Sequence, residues 1–287
     1  MNNPYQHLVI YYFEGRVDPQ ETVQFDPRFL GHWQEADTGF VFFSQPVPEL
    51  AARMADQHPD ACLKDVFEMT WEQWHGDAIA PYCVADFCVF PPWEVPANHA
   101  DRRPIVLDPG VVFGTGRHTT THDCLDLIHQ VCASETIETV LDIGTGTGLL
   151  ALGAAAMGCP RVLACDFNLL SVKTAKKNIA RNGWDDRVLA FQARGETMMD
   201  LPCDLLVANI HYDIMQYLID SPGLLEKRYI ILSGLLRSEA QKTAAALAKH
   251  QVAILDHRCP DGIWHTFLAT PRTDRPGRLL KTVHPVP

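Results

Sequence analysis

The stretch Val140-Leu141-Asp142-Ile143-Gly144-Thr145-Gly146-Thr147-Gly148-Leu149 predicts a strand, a glycine-rich turn and the start of a helix. Glycines in such a turn let the backbone approach a ligand closely, and the helix N-terminus favours an anionic group such as a carboxylate. The glycines alternate as GxGxG, whereas the dinucleotide fingerprint GxGxxG places its third glycine three residues after the second. The spacing therefore argues against a nicotinamide or flavin site, and a purely structural turn is the remaining alternative.

Strands and helices alternate on either side of this turn. Apolar, β-branched runs predict strands at 139–143, 161–166, 188–193, 204–210, 229–233, 252–256 and 264–269. Helical periodicity and caps predict helices at 149–157, 169–182, 213–219 and 238–250. This alternation predicts an α/β fold with a doubly wound, mainly parallel seven-stranded sheet that is covered by helices on both faces.

The region before this sheet is less regular. Strand-like segments at 7–13, 39–44 and 63–69 and a helical segment at 47–57 predict a small α+β domain over 1–70. Residues 71–104, rich in Trp, Pro and small residues, predict an ordered linker to a catalytic domain over 105–270. The Pro- and Gly-containing segment 271–287 predicts a mobile tail.

Composition restricts the partners. The 287 residues carry a formal net charge of -11, which argues against a nucleic-acid or anionic-membrane footprint and favours a basic protein or a small molecule. The nine cysteines are scattered without a CxxC pair, so we expect no metal site and a reducing compartment. No basic segment precedes an apolar stretch at the N-terminus, and no apolar run reaches the roughly 20 residues that span a bilayer. We expect a cytoplasmic monomer.

Three polar residues follow strands of the predicted sheet, at the edge where open α/β folds bind ligands. Asp166 ends the second strand, about 20 residues beyond the turn, where a carboxylate can accept hydrogen bonds from ribose hydroxyls; the alternative is a helix cap. Glu196 follows the third strand and is a candidate neighbour of an adenine, or else a solvated side chain. Asn209 ends the fourth strand, where it faces a ligand or caps the following helix.

The segment 107–121, LDPGVVFGTGRHTTT, resembles the PrmA-type ribosomal protein methyltransferases, in which DPG and FGTG precede a His and a Thr pair. The resemblance extends over 103–270 and includes 90–94, whereas residues 1–70 match poorly. The family usually has Thr and Pro where this chain has Arg117 and Thr119. It usually has small apolar residues where this chain has His211 and Tyr212. The resemblance implies the Rossmann-like fold of class I S-adenosylmethionine-dependent methyltransferases.

The resemblance also implies an activity. Such an enzyme transfers a methyl group from S-adenosylmethionine to a lysine or N-terminal amine of a protein and releases S-adenosylhomocysteine. The first acceptor to expect is the large-subunit ribosomal protein L11, which the N-terminal domain would recognise. Two alternatives stay open: another protein or a small molecule as acceptor, and a non-catalytic protein that binds S-adenosylmethionine.

The glycine turn and the resemblance together give a set of site residues. The expected cofactor-binding residues are Thr115, Asp142, Gly144, Gly146, Gly148, Asp166, Glu196 and Asn209. Asn209 and His118 are the expected catalytic residues, with Asn209 orienting the acceptor amine; for His118 the alternative is a hydrogen-bonded structural role. Phe113 and Trp264 are candidates for an apolar wall at the reacting atoms, with ordinary core packing as the alternative.

Overall fold

The N-terminal residues form a four-stranded antiparallel sheet in the computed structural model, which describes residues 3–76, 80–96 and 101–271. The elements are β1 (Leu8–Glu14), α1 (Glu21–Gln24), β2 (Phe29–Glu35), β3 (Thr38–Phe43), α2 (Pro48–Gln57) and β4 (Cys62–Met69), in the sheet order β2-β3-β1-β4. Three strands and α2 match the predicted segments. The sequence-based prediction lacks β2, which has a glycine in its interior and no apolar alternation.

The two faces of this sheet pack against different neighbours. Side chains alternate along β1, so that Val9 lies in an apolar cluster with Met54 of α2, whereas Leu8 lies in a second cluster with Val111 and Leu170. The second cluster belongs to the region that follows in the sequence. The N-terminal sheet is therefore fixed to the rest of the chain by an apolar interface.

A short helix and a small sheet connect the two parts. They are α3 (Trp71–His75), β5 (Tyr82–Val84), β6 (Phe87–Phe90) and β7 (Arg103–Val106), with the sheet order β5-β6-β7. The sequence-based prediction has an ordered linker without strands here, because strands of three or four residues are too short to show periodicity. All four residues of β6 are buried, so this strand is part of the core.

The central sheet has the seven strands that the sequence predicts. Its strands are β8 (Thr139–Ile143), β9 (Arg161–Asp166), β10 (Val188–Gln192), β11 (Cys203–Asn209), β12 (Lys227–Leu236), β13 (Val252–Arg258) and β14 (Trp264–Pro271). The order is β10-β9-β8-β11-β12-β14-β13, and only the pairings of β14 are antiparallel. The predicted doubly wound, mainly parallel α/β fold is confirmed.

Helices cover both faces of this sheet. They are α4 (Thr119–Ser134), α5 (Leu149–Ala156), α6 (Leu169–Arg181), α7 (Tyr212–Asp220) and α8 (Arg237–Lys249). Val140 packs with Leu125 of α4 and Ile179 of α6, whereas its neighbour Leu141 packs in a cluster with Met215 of α7. With both faces covered, the carboxyl ends of the parallel strands form the edge that is open to a ligand.

The helix α4 is absent from the sequence-based prediction. It begins with three threonines, whose β-branched side chains lower helix propensity, so its formation depends on packing rather than on local preference. Its buried side includes Cys124, Leu125, Ile128 and Val131.

The predicted mobile tail falls, from residue 272 onward, outside the described residues. No helix in the described part of the chain is long and apolar enough to cross a membrane.

Candidate active site

The glycine turn after β8 has a backbone that side chains other than glycine tolerate poorly. Gly144, Gly146 and Gly148 have φ angles of 72°, 54° and 86°. A Cβ on Gly144 would lie 2.3 Å from the Ile210 side chain, and one on Gly146 would lie 3.0 Å from the Phe113 carbonyl oxygen. The turn therefore presents bare backbone between two flanking loops, at the open edge of the sheet.

Asp142, the last but one residue of β8, holds this turn in shape. Its Oδ2 accepts hydrogen bonds from the Thr145 hydroxyl at 2.6 Å and from the Ala151 amide at 3.2 Å. Its Oδ1 is buried and has no hydrogen-bond partner among the described residues. Burial raises the pKa of this carboxyl to about 7. A cationic ligand group that reached Oδ1 would offset the desolvation and lower the pKa again.

We expect Asp142 to make the protein less stable as the pH rises from acidic to alkaline. The pKa of the folded state, about 7, lies above the ordinary value of 3.8, so the folded protein holds the proton more tightly than the unfolded chain. The contribution of Asp142 to the free energy of unfolding is therefore complete below about pH 4 and is lost as the pH rises through about 7. Asp142→Asn, which cannot ionise, should show less of this loss. Urea unfolding of both proteins at about pH 5 and about pH 8 measures the difference, and an equal loss in both would contradict the expectation.

Asp166 ends β9 directly beside the glycine turn. Its Oδ2 accepts a hydrogen bond from the Gly146 amide at 3.0 Å, and its Oδ1 accepts one from the Asn168 amide at 2.9 Å. The N-cap of α6 is Asn168, whose side chain accepts from the Leu170 amide. The alternative in which Asp166 caps this helix is therefore wrong. Each carboxylate oxygen of Asp166 keeps acceptor capacity for a further hydrogen bond.

The loop that carries Thr115 lies against the same turn. The Thr147 hydroxyl donates a hydrogen bond to the Gly114 carbonyl oxygen at 2.8 Å. On the other side of the loop, the Tyr82 hydroxyl donates to the Thr115 carbonyl oxygen at 3.4 Å. The half-buried Thr115 is thus held between the glycine turn and the β5 strand.

Asn209 and His118 meet through the hydroxyl group of Thr120. The Asn209 Nδ2 donates a hydrogen bond to the Thr120 Oγ1 at 3.2 Å, and the His118 Nδ1 lies 2.8 Å from the same oxygen. With Nδ2 engaged, the Oδ1 of Asn209 is the atom available to accept a hydrogen bond from a ligand. Gly234 leaves space beside this oxygen, since a Cβ at that position would lie only 3.1 Å from it. His211 occupies the N-cap of α7, so the alternative in which Asn209 caps that helix is wrong.

His118 has a structural contact as well as a place at the site. It is the N-cap of α4, and its side chain accepts from the Thr120 amide. Its exposed ring meets Trp264 edge-on, with centroids 5.2 Å apart. Phe113 instead meets Trp33 of the N-terminal sheet at 5.5 Å and is 62% exposed, so core packing does not describe it. The two predicted wall aromatics therefore have different neighbours, and only Trp264 contacts a predicted catalytic residue.

Glu196 lies at the same edge, after β10. It belongs to the 3₁₀ helix Gly195–Met198, and a Cβ on Gly195 would lie 2.3 Å from the Ile143 side chain at the end of β8. The Glu196 carboxylate is 3.7 Å from the Arg194 guanidinium, and its side chain is 28% exposed. The predicted cofactor residues after β8, β9 and β10 thus stand at the ends of three adjacent strands.

A family model described as ribosomal protein L11 methyltransferase (PrmA) matches residues 39–270. The chain belongs to this family. The predicted resemblance, the methyltransferase class and the class I fold are confirmed. The PrmA match begins within the N-terminal sheet and covers every predicted site residue.

Individual relatives agree with the PrmA assignment. Proteins named ribosomal protein L11 methyltransferase from Desulforamulus reducens, Anoxybacillus flavithermus and Lactococcus lactis subsp. cremoris are 34%, 35% and 29% identical to this chain. These alignments cover 63%, 72% and 84% of the chain, and 58%, 67% and 80% of the relatives. A crystal structure of ribosomal protein L11 methylase from Lactobacillus delbrueckii subsp. bulgaricus superposes with a TM-score of 0.60 at 29% identity, covering 68% of this chain and all of that one.

Three residues of this PrmA chain shape the site without being in the predicted set. Thr120 joins Asn209 to His118, Thr147 fixes the Thr115 loop, and Tyr82 supports that loop from outside. The two threonines lie inside the motifs, where their position beside predicted residues is a usable signal. Tyr82 lies 33 residues before its partner in the sequence and carries no such signal.

Proposed function

We propose that this chain transfers a methyl group from S-adenosylmethionine to an amine of a protein, with a lysine of ribosomal protein L11 as the first acceptor to test. The observation that carries the proposal is the placement of Asn209 beside the glycine turn. Strands β8 and β11 are paired in parallel, with Ile143 opposite Ala208. The oriented amide oxygen of Asn209 therefore lies at the end of β11, and the bare backbone of the glycine turn follows the end of the neighbouring strand β8.

The residues at this edge fit S-adenosylmethionine. The buried, unpartnered Oδ1 of Asp142 suits the cofactor's ammonium group, and Asp166 suits the ribose hydroxyls. The glycine turn leaves room for close approach, and Glu196 would lie towards the adenine. When bound, the cofactor supplies an electrophilic methyl group on a sulfonium.

The chain's own task is to present a neutral amine in line with that methyl group. A lysine amine has an ordinary pKa near 10.4, so holding it neutral at pH 7 costs about 4.6 kcal/mol unless desolvation lowers its pKa. Asn209 Oδ1 would accept a hydrogen bond from the amine and thereby direct its lone pair. Trp264 and His118 would border the acceptor and exclude water. Alignment, rather than strong acid–base chemistry, would then supply much of the rate.

Asp166→Ala should weaken binding of S-adenosylmethionine by roughly 10- to 100-fold. This range corresponds to the loss of one charge-assisted hydrogen bond to a ribose hydroxyl, which contributes about 1.5 to 3 kcal/mol. Titration calorimetry on the purified variant measures the loss, with Asp256→Ala, a carboxylate paired with Arg258 on β13, as the control. Unchanged affinity in Asp166→Ala would count against its assignment to the ribose.

Incubation with radiolabelled S-adenosylmethionine tests the function itself. We expect label in purified ribosomal protein L11 or in the protein fraction of ribosomes. Label only in other components of a cell extract would favour a different acceptor, and tight cofactor binding without label anywhere would favour the non-catalytic alternative. A matched preparation of Asn209→Ala shows whether the label depends on the proposed site.

The N-terminal sheet is the proposed acceptor-recognition part of the chain, over 1–70, with 71–104 as its connection to the catalytic domain over 105–270. Its support is the contact of Trp33 with the exposed Phe113, which brings the sheet to the loop beside the glycine turn. A cytoplasmic monomer without a nucleic-acid partner stays a prediction from composition.

A further inference from the structure

The hairpin formed by β5 and β6 brings two cysteines side by side. Cys83 and Cys88 are directly opposed in this antiparallel pair, and their Sγ atoms lie 2.6 Å apart. Only two residues separate Val84 from Phe87, so these flanking residues form the hydrogen-bonded pair and the cysteines form the next, non-hydrogen-bonded pair. Opposed residues of that kind have Cα atoms about 4.5 Å apart, within the range in which a disulfide closes without backbone movement.

The two thiols differ in their access to solvent. Cys83 is exposed, whereas Cys88 is 1% exposed. Burial raises the pKa of the Cys88 thiol to about 11. Cys83 is therefore the thiol that a dissolved oxidant meets first, and the buried Cys88 is shielded from it.

We propose that Cys83 and Cys88 form a redox-active pair that a low-molecular-weight disulfide, such as oxidised glutathione, converts to a cross-strand disulfide. The Cys83 thiolate attacks one glutathione sulfur, a bond from Cys83 to that sulfur forms, and the glutathione disulfide bond breaks. The Cys88 thiolate then attacks the Cys83 Sγ and releases the second glutathione. Two cysteines are oxidised, one glutathione disulfide is reduced, and the two thiol protons end on the two released glutathiones.

The position of the hairpin gives this bond a consequence. Tyr82 directly precedes Cys83, donates a hydrogen bond to the Thr115 carbonyl oxygen and stacks on His122 of α4, with centroids 5.2 Å apart. The hairpin thus braces the loop beside the glycine turn. A disulfide would hold β5 and β6 together, and the loop that carries Thr115 should open less often. This inference does not depend on the proposed methyl acceptor.

A second cysteine pair in the fold serves as a control. Cys132 and Cys159 have Sγ atoms 3.6 Å apart, but they lie on a helix and a loop rather than on paired strands, and Cys159 is buried. No cysteine in the described part of the chain belongs to a group of three or more His, Cys, Asp or Glu side chains that could hold a metal ion. Cys132→Ser therefore disrupts this second pair of adjacent thiols and leaves the β5–β6 hairpin unchanged.

The test equilibrates the full chain in buffers of increasing oxidised-to-reduced glutathione ratio, followed by alkylation and mass spectrometry. We expect the peptide that contains Cys83 and Cys88 to lose two hydrogens in wild type and in Cys132→Ser, and to regain them with dithiothreitol. In Cys88→Ser, Cys83 should instead carry one glutathione. Two alkylatable thiols at the oxidised end of the series, or a glutathionylated Cys83 that never closes in wild type, would overturn the proposal.

Hydrogen exchange gives the readout for the brace. In the oxidised protein, amides of β5, β6 and residues 113–118 should exchange several-fold more slowly than in the reduced protein, and Cys83→Ser should show no such difference. Closure of the disulfide with unchanged exchange at 113–118 would refute the link to the loop. If the oxidising buffer slows exchange in Cys83→Ser as much as in wild type, the effect comes from the buffer. That result would refute the disulfide as its cause.

Discussion

Replacing Gly146 with leucine is expected to abolish binding of S-adenosylmethionine by the folded protein. The residue has a φ of 54°, which a residue with a Cβ adopts only at a penalty of about 1–3 kcal/mol. Its Cβ would lie 3.0 Å from the Phe113 carbonyl oxygen, so the added side chain must turn into the space above the bare turn. That space is where the proposed cofactor approaches the backbone, and a branched side chain would fill it. Calorimetric titration of the variant should show no detectable heat of binding.

A second glycine separates this effect from backbone strain. Gly183, after α6, has a similar φ of 67°, but a Cβ there would have no neighbour within 4 Å. Gly183→Leu should therefore be destabilised by a similar strain and still bind S-adenosylmethionine with wild-type affinity. Thermal unfolding and titration of both variants make the comparison. Binding retained in Gly146→Leu, or lost equally in both variants, would contradict the location of the site.

The central fold could be predicted because its signals are local. The strand, turn and helix around Gly144 show in consecutive residues, and the helix α6 shows its caps and its apolar side in thirteen residues. The helix α4 could not be predicted in this way, since its first turn is Thr119-Thr120-Thr121 and its stability depends on packing against distant strands. The same holds for β2, whose Gly31 fits between Leu170 and Val111 of the region that follows in the sequence.

The sequence indicates which residues to expect at the candidate site but not how they are arranged. The expected residues from Asp142 to Asn209 lie at the ends of strands or in the turns that follow them. The carboxyl ends of parallel strands meet at one edge, so the proximity of these residues follows from topology. The hydrogen bond from Asn209 to Thr120 spans 89 residues of sequence and leaves no local trace. That bond decides which atom of the amide faces a ligand, and it can be found only in three dimensions.

Asn209→Ala is expected to lower methyl transfer by roughly 100-fold or more while cofactor affinity stays within a few fold. The lost group is the amide oxygen that would direct the lone pair of the acceptor amine, and this contact acts on the transition state rather than on the bound cofactor. Thr120→Val, which keeps the shape but removes the hydroxyl that holds Nδ2, should give a smaller loss of the same kind.

Asn182→Ala is the matched control for that variant, because Asn182 is another half-buried asparagine whose side chain pairs with a strand. Its Oδ1 accepts a hydrogen bond from the Val106 amide at 2.9 Å, and its Nδ2 donates one to the Val106 carbonyl oxygen at 2.8 Å. Both bonds lie away from the proposed site. Asn182→Ala should therefore lower the thermal midpoint and leave turnover per folded molecule unchanged. Thermal midpoint, cofactor affinity and methyl transfer, measured on one preparation of each variant, separate the two roles. Normal transfer in a slightly destabilised Asn209→Ala would refute the catalytic assignment, because the amide would then act on folding alone.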